Sequence, residues 1–558
     1  MALQDNTLNK QQTQKRILLA TLLSFAFFVG YDFLYLQPKQ AAVDLANEQN
    51  KKIVQQQVQH SASTNTAPST ASSTQAPDTQ AVATQTPAPI GAVVKTISTI
   101  TTNKSKYEID AYGRITQVTL LESKYVDEDG KSLKLFSETQ LKPLEVRFTD
   151  AKTNEEAFKT PMSINDATLV KVDATKSRKT IVFTQKLSKT TLTKTLTFYP
   201  DGHYDINIKT TNNAQFFVTP GFRPDIIADM YADHGALLTL NDGTLNIIED
   251  EDMEKAVELI GVHATSAFDR YYTTLLYNYK TSMKVSVMMD NTDSPNMFIH
   301  GGNNITLSGY AGPKEHKLLS SLNPKLVDVI EYGWFTFIAK PVFSMLQFIQ
   351  SFVGNWGWTI VFTTIFVKLV LFPLSHKGMM SMNRLKELAP KVKALQEKYK
   401  NDKQKASMHM MELYKKEGAN PMGGCLPVLL QIPIFFGIYR VLLNSIELKG
   451  SEWILWIDDL GAMDPFFVLP ILMGATMYFQ QKITPNTMTD PVQQKMFQFL
   501  PVIFTFFFLW FPAGLTLYWF INNLFTIGQQ YYVNTLFTNA KVVRHEDHEK
   551  NKHKNKKQ

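Results

Sequence analysis

Seventeen residues constrain this chain more than any others: Trp358-Thr-Ile-Val-Phe-Thr-Thr-Ile-Phe-Val-Lys-Leu-Val-Leu-Phe-Pro-Leu374, uncharged throughout except for Lys368. A run of this character belongs in a bilayer, where a central ammonium costs roughly 2.5–3.5 kcal/mol on insertion scales. Two readings of Lys368 are open. It faces a wet cavity or a partner, or its long stem snorkels to the headgroups. At 1.5 Å per residue it lies roughly 15 Å from Trp358 and roughly 10 Å from Ser375, which weighs against full snorkelling.

The rest of the 558-residue chain is mixed. Residues 1–16 are polar and end in Lys15-Arg16. Residues 17–36 are apolar and about bilayer length, with no small-x-small cleavage site straight after, so they read as an uncleaved anchor. Residues 37–93 are rich in Gln, Ala, Ser, Thr and Pro and have few apolar residues for a core; they read as a disordered tether. From 94 to 322 the pattern is of strands. Thr180–Leu187 is short and β-branched, and Leu196–Ile208 alternates on both sides of Pro200-Asp201-Gly202, a hairpin signature. With Gln117–Leu121, Lys284–Met289 and Asn304–Gly309, this predicts an antiparallel β-sandwich domain. Residues 323–353 predict an amphipathic helix lying in the membrane interface, with Trp334, Phe335 and Phe337 beside its charges.

Five apolar spans follow within 354–535: about Trp356–Leu374, Leu426–Leu443, Phe466–Phe479, Phe497–Phe511 and Ala513–Tyr532. With the anchor they make six. The predicted fold class is a polytopic α-helical membrane protein of six transmembrane helices, five forming a core bundle, with a large β-sandwich domain outside the membrane and a helical hairpin on the cytoplasmic side. The Lys-rich loop between the second and third spans and the basic tail, 536–558, place both termini in the cytoplasm; the loop after the third span carries Glu452, Asp458, Asp459 and Asp464 instead. The β-domain then lies on the opposite side. Within the hairpin, 376–420, Leu385, Leu388, Val392, Leu395 and Tyr399 form a heptad seam that Asn401-Asp402 ends, and Met410 and Leu413 continue an apolar face. Each helix covers the other, or Met379, Met380, Met382, Met408, Met410 and Met411 offer adaptable apolar surface to clients; both readings stay open.

Chemistry is sparse. No His-Glu-x-x-His, Gly-x-Ser-x-Gly or phosphate-loop motif occurs, and His203, His234 and His263 lack ligand spacing. Cys425 is the single cysteine, so no intrachain disulfide forms. No catalytic residue, metal site or cofactor is expected, and the chain reads as a non-enzyme. Gln431 is a polar group deep in an apolar run, suited to a groove or to gluing helices by a hydrogen bond.

The densest motifs are Asn420-Pro-Met-Gly-Gly-Cys-Leu-Pro-Val-Leu-Leu-Gln-Ile-Pro-Ile-Phe436, Trp456-Ile-Asp-Asp-Leu460, Leu469-Pro-Ile-Leu-Met-Gly474, Asp490-Pro-Val-Gln-Gln-Lys495, Phe504–Leu515 and Leu517-Tyr-Trp519. In these the chain resembles the YidC family of membrane protein insertases in its Gram-negative form, densely over about 325–535. The resemblance implies a protein of the bacterial inner membrane, with the β-domain in the periplasm. It implies partners too: nascent membrane proteins, the Sec translocon, the ribosome and the phospholipid bilayer, with no DNA. It also implies a hydrophilic groove open to cytoplasm and lipid, whose positive residue maps to Lys368, with Thr364, Gln431, Tyr518 and Trp519 beside it. Many members carry Arg at the Lys368 position, and Lys lacks the bidentate fork. From the residues alone, Thr364 and Lys368 share a helix face by their spacing of four, while Tyr518 and Trp519 suit a lipid-facing position equally well. The basic loop and tail suit ribosomal RNA phosphates or anionic lipid.

Overall fold

The computed structural model describes residues 95–555, apart from 128, 165–169, 225, 227–233, 252–255, 418–420 and 485–490. The expected anchor and tether lie outside the described residues.

Residues 95–313 form seventeen strands in two sheets. The smaller sheet has the order β3 (Ile115–Leu120), β2 (Ser105–Asp110), β1 (Thr96–Thr101), β6 (Lys171–Asp173). The larger has thirteen strands; its centre runs β13 (Val257–Phe268), β14 (Tyr272–Tyr277), β17 (Asn304–Pro313), β9 (Tyr204–Thr210), β8 (Thr191–Phe198), β7 (Lys179–Lys186). Side chains from both sheets, Ile100 and Tyr107 with Leu196 and Ile206, meet in one core. Two sheets of mostly antiparallel strands over one core agree with the expected sandwich; the sheets are very unequal, and β1 pairs with β6 in parallel.

The predicted hairpin is present. β8 alternates, burying Leu192, Lys194, Leu196 and Phe198, and its register sets Phe198 against Tyr204 and Leu196 against Ile206. Gly202, at φ +90°, supplies the turn conformation that a side chain resists. Each buried apolar side chain here is worth about 1.5–3 kcal/mol relative to exposure. β13 is longer than its neighbours. Its N-terminal half pairs with β15 (Met283–Met289) and its C-terminal half with β11 (Gly235–Leu240). The change of partner falls at Gly261, a bulge residue at φ +83°.

The segment expected as one interfacial helix begins differently. Residues 324–329 and 333–335 are short 3-10 turns, because Pro324 cannot donate and Gly333 takes φ +65°. The α-helix starts only at Thr336. Seven helices frame the rest: α1 (Thr336–Val353), α2 (Trp356–Val370), α3 (Phe372–Lys398), α4 (Lys403–Lys416), α5 (Pro421–Asn444), α6 (Val468–Ile483) and α7 (Pro491–Phe508), followed by the 43-residue α8 (Ala513–Asn555). The helix α8 continues through most of the basic tail. Its first half packs against α2, α3, α5 and α6.

Among the described residues no single helix is both long and apolar enough to cross a membrane alone. The pair α2 and α3 meets the requirement together, with a bend of 64° between them. Pro373, in the first turn of α3, lacks the amide that would continue α2, so the predicted span through Leu374 is broken at Leu371. Beyond the bend, Leu388 and Val392 of α3 pack on Met410, Leu413 and Tyr414.

The β-domain and the helices are joined through a shared core in which Phe268 and Leu275 accompany Ile438, Val441, Leu469 and Leu517. His316 N–H donates to Glu447 Oε1 at 3.0 Å, and Asn444 Nδ2 donates to Glu331 O at 2.9 Å. Beside them Glu315 accepts from Tyr125 Oη at 2.7 Å and Lys124 Nζ at 3.0 Å. Burial works to raise the Glu315 pKa, but these donors hold it below the ordinary value.

Candidate functional site

The helix α2 starts cleanly because Asn355 caps it, accepting the Trp358 amide at 3.1 Å. Its two faces differ. Thr359, Thr363, Thr364 and Lys368 are buried at spacings of one and four, while Phe362, Phe366 and Leu369 are exposed on the other side. Ile360 and Val361 are buried as well, so the inward face mixes apolar side chains with hydroxyls and an ammonium while large apolar side chains stay exposed, which is unlike a soluble protein.

Lys368 is 8% exposed. Its Nζ donates to Thr526 Oγ1 at 3.0 Å, and the Thr526 hydroxyl donates in turn to Asn522 O at 2.7 Å. Among the described residues no carboxylate pairs with it. Lys368 occupies the last turn of α2, where the helix dipole favours a cation.

Gln431, on α5, reaches the same partner helix from another side: its Nε2 donates to Asn522 Oδ1 at 3.3 Å. Lys368 and Gln431 thus converge on Asn522 and Thr526, one turn apart on α8. Thr364 shares the Lys368 face but turns its hydroxyl into its own helix, donating to Ile360 O at 2.7 Å. Tyr518 is buried with its ring 6.5 Å from Phe435. Trp519 packs edge-on against Phe435 at 4.5 Å and Phe508 at 5.1 Å. Tyr518 is buried among the helices, and Trp519 is partly buried there.

The hairpin methionines divide. Met379, Met380 and Met382 are half-buried near its base. Met410 lies in the seam, accepting from Gln396 Nε2 at 3.7 Å. Met408 and Met411 are exposed. The base is tied to α8 by Asn383 Nδ2, which donates to Asn534 Oδ1 at 2.9 Å.

Sequence reasoning missed the partner stripe. On α8, Asn522, Asn523, Thr526, Gln529, Gln530 and Asn534 recur at spacings of three and four and face the bundle, and Asn523, Gln529 and Gln530 are buried. That spacing was available in the sequence but lies inside a run dominated by aromatic and aliphatic residues. The stripe is not fully satisfied. Thr363 Oγ1 and Gln529 Nε2 are buried without a protein hydrogen-bond partner, each costing about 1–3 kcal/mol if dry. Polar groups in this number and this state suit a hydrated groove.

Residues 97–345 match the family profile described as the YidC periplasmic domain, and 348–541 match that of the 60Kd inner membrane protein. The chain is 50% identical to the membrane protein insertase YidC of Campylobacter jejuni, over 95% of this chain and 98% of that protein. This chain belongs to the YidC family. The insertases of Wolinella succinogenes and Helicobacter pylori are 46% and 44% identical, over 94% and 96% of this chain and 96% and 98% of theirs. Membership makes this an inner-membrane protein whose β-domain is periplasmic.

Proposed function

We propose that this protein inserts nascent inner-membrane proteins, and helps them fold, through the groove formed by Lys368, Thr364, Gln431, Tyr518 and Trp519 together with Asn522 and Thr526. One observation carries the reading: a buried ammonium in an apolar run whose hydrogen-bond partner among the described residues is a threonine hydroxyl. A client's short extracytoplasmic tail carries polar or acidic groups that are expensive to move through hydrocarbon. A wet half-channel with one cation lowers that barrier and offers an acidic tail a transient partner. Meanwhile about 20 apolar client residues leave for lipid, and their burial drives the step without nucleotide hydrolysis. No bond is made or broken by the groove, and no catalytic role is assigned.

The proposed topology has six spans, counting 17–36 and the bent α2–α3 pair, with both termini cytoplasmic. The hairpin, with Met408 and Met411 outermost, receives clients on the cytoplasmic side. The Lys-rich hairpin and the tail meet the ribosome through phosphate electrostatics, and the Sec translocon works alongside for larger clients.

The test is depletion of the native protein with rescue by variants. Lys368→Ala is expected to lower insertion of clients with acidic tails by at least about fivefold, the loss of one charge-assisted contact, while Lys368→Arg rescues. Full rescue by Ala for every client tested overturns the reading.

A further inference from the structure

The polar stripe of α8 does not end at the groove. Asn534 lies two turns past Thr526, about 12 Å along the helix toward the basic tail. Groups from three helices meet at its side-chain amide. Asn383 Nδ2, at the base of the hairpin on α3, donates to Asn534 Oδ1 at 2.9 Å. Gln530 Nε2, one turn back on α8, donates to the same oxygen at 2.8 Å. Asn534 Nδ2 donates to Ile483 O, the last carbonyl of α6, at 3.4 Å. The oxygen of Asn534 thus uses both its lone pairs. The carbonyl it reaches ends a helix, where no amide of α6 is placed to bond it. Asn383 and Gln530 are both buried, so breaking the knot strands amide groups away from water.

The three helices lead to the three segments that the proposed topology puts in the cytoplasm. The hairpin is built on α3, α6 runs into the loop before α7, and α8 runs into the basic tail. The 64° bend between α2 and α3 leaves the angle of the hairpin to be set from outside α2. Packing of α3 on α5 and α8 contributes, but apolar contact is non-directional and lets one helix roll over another. An amide that accepts twice and donates once fits a single register, because hydrogen bonds weaken steeply off line.

We propose that Asn534 is a positioning residue for insertion: its amide locks the base of the hairpin to the end of α6 and to α8, and so holds Met408 and Met411 at a fixed angle to the groove. Asn534 itself touches no client. The inference rests on the insertion reading above and adds to it the part that aims the receiving surface.

Distances measured by pulsed electron paramagnetic resonance on the full-length protein in lipid nanodiscs test this. The background is Cys425→Ser, and spin labels are placed through Met411→Cys on the hairpin and Leu536→Cys on α8, both exposed positions. The native amide should give one narrow distance peak. Asn534→Ala and Asn383→Ala should each broaden it, and should each lower insertion in the depletion assay by about fivefold, the value of one net hydrogen bond, whatever the charge on the client's tail. Combining the two substitutions should lower insertion no further than Asn534→Ala alone, since both remove the same bond. Asn534→Asp keeps the oxygen that accepts from Asn383 and Gln530 and gives up only the bond to Ile483, so the peak should stay narrow; broadening as great as that of Asn534→Ala overturns the proposal. Native peak width in both alanine variants overturns it too, as does a broadened peak with native insertion, and Asn383→Ala decides the matter if Asn534→Ala misfolds. Lys368→Ala should keep the narrow peak while losing clients with acidic tails, so failure here and failure of the groove reading are told apart.

Discussion

The β-domain and the helical bundle both bury charge, and they treat it in opposite ways. In the β-domain Arg114 is bound by Asp110 at 2.8 Å and Glu145 at 2.9 Å, and Glu145 also holds Arg147 at 2.9 Å. Lys194 donates to three carbonyls, Tyr112, Gly113 and Leu144, at 2.8 to 3.1 Å. Each of these cations is held by fixed partners in the fold. In the bundle Lys368 meets Thr526 alone among the described residues, and elsewhere on the packed helices Thr363 Oγ1 and Gln529 Nε2 are buried without a partner. A satisfied buried network fixes a fold; a deficient one is tolerated where water or a passing ligand completes it. The contrast holds between these two sites and not between whole domains, since Asp269 Oδ2 and Tyr272 Oη of the β-domain are also buried without a partner.

The largest effect is expected from breaking the satisfied network. Glu145→Gln leaves Arg114 and Arg147 short of a buried counter-charge, and about 3–5 kcal/mol of β-domain stability should be lost, read as a lower denaturant midpoint. Lys194→Met strands three carbonyls and should cost about 2–3 kcal/mol in the same measurement. Lys194 carries a second signature. Burial pushes its pKa down from 10.5 to about 7. Between those values the unfolded chain binds the extra proton, so the native β-domain gains stability as pH rises from about 7 to 10.5. Lys194→Met should flatten that rise in thermal melts; an unchanged slope would assign it to another group.

The bundle should respond the other way round. Thr526→Ala removes the one fixed partner of Lys368 and should cost only about 1 kcal/mol, while reducing insertion in the rescue assay. Gln529→Leu replaces a buried amide that lacks a partner and should change stability least, by less than about 1 kcal/mol and with either sign. A loss near that of Glu145→Gln at either position would put the groove in the same class as the β-domain network and collapse the comparison.

The attachment of the β-domain also bears on its role. In the topology proposed above the β-domain lies across the membrane from client entry, which by itself would make it dispensable for insertion. Arg270 and Glu331 nevertheless bond the end of α5, the helix that carries Gln431. Deleting about 95–300 removes Arg270 along with the strands, so a deletion that spares 262–322 is the cleaner measure of what the sheets contribute.

Strand alternation announced β7, β8 and β9, and the Pro200-Asp201-Gly202 turn was plain, because both signals are local. The same alternation places Lys194 on the inward face between Leu192 and Leu196, a buried lysine that a search for motifs passes over. The long 323–353 helix was over-read, since apolar content continued through Pro324 and Gly333 although the backbone there cannot stay helical. Thr364 was placed correctly on the Lys368 face, but whether its hydroxyl meets the lysine or its own backbone is a rotamer choice that spacing does not report.

What the sequence by itself determined is what period and composition encode: strand and helix types, a lone cation in an apolar run, and motif density sufficient to point to a family. What only the tertiary structure decided is which polar groups meet. Thr526 and Asn522 lie far from Lys368 and Gln431 in the chain, and only the packing of α8 across α2 and α5 joins them. Partner identity is a property of distance between helices, and a one-dimensional pattern carries the faces of each helix but not the crossing that brings two faces together.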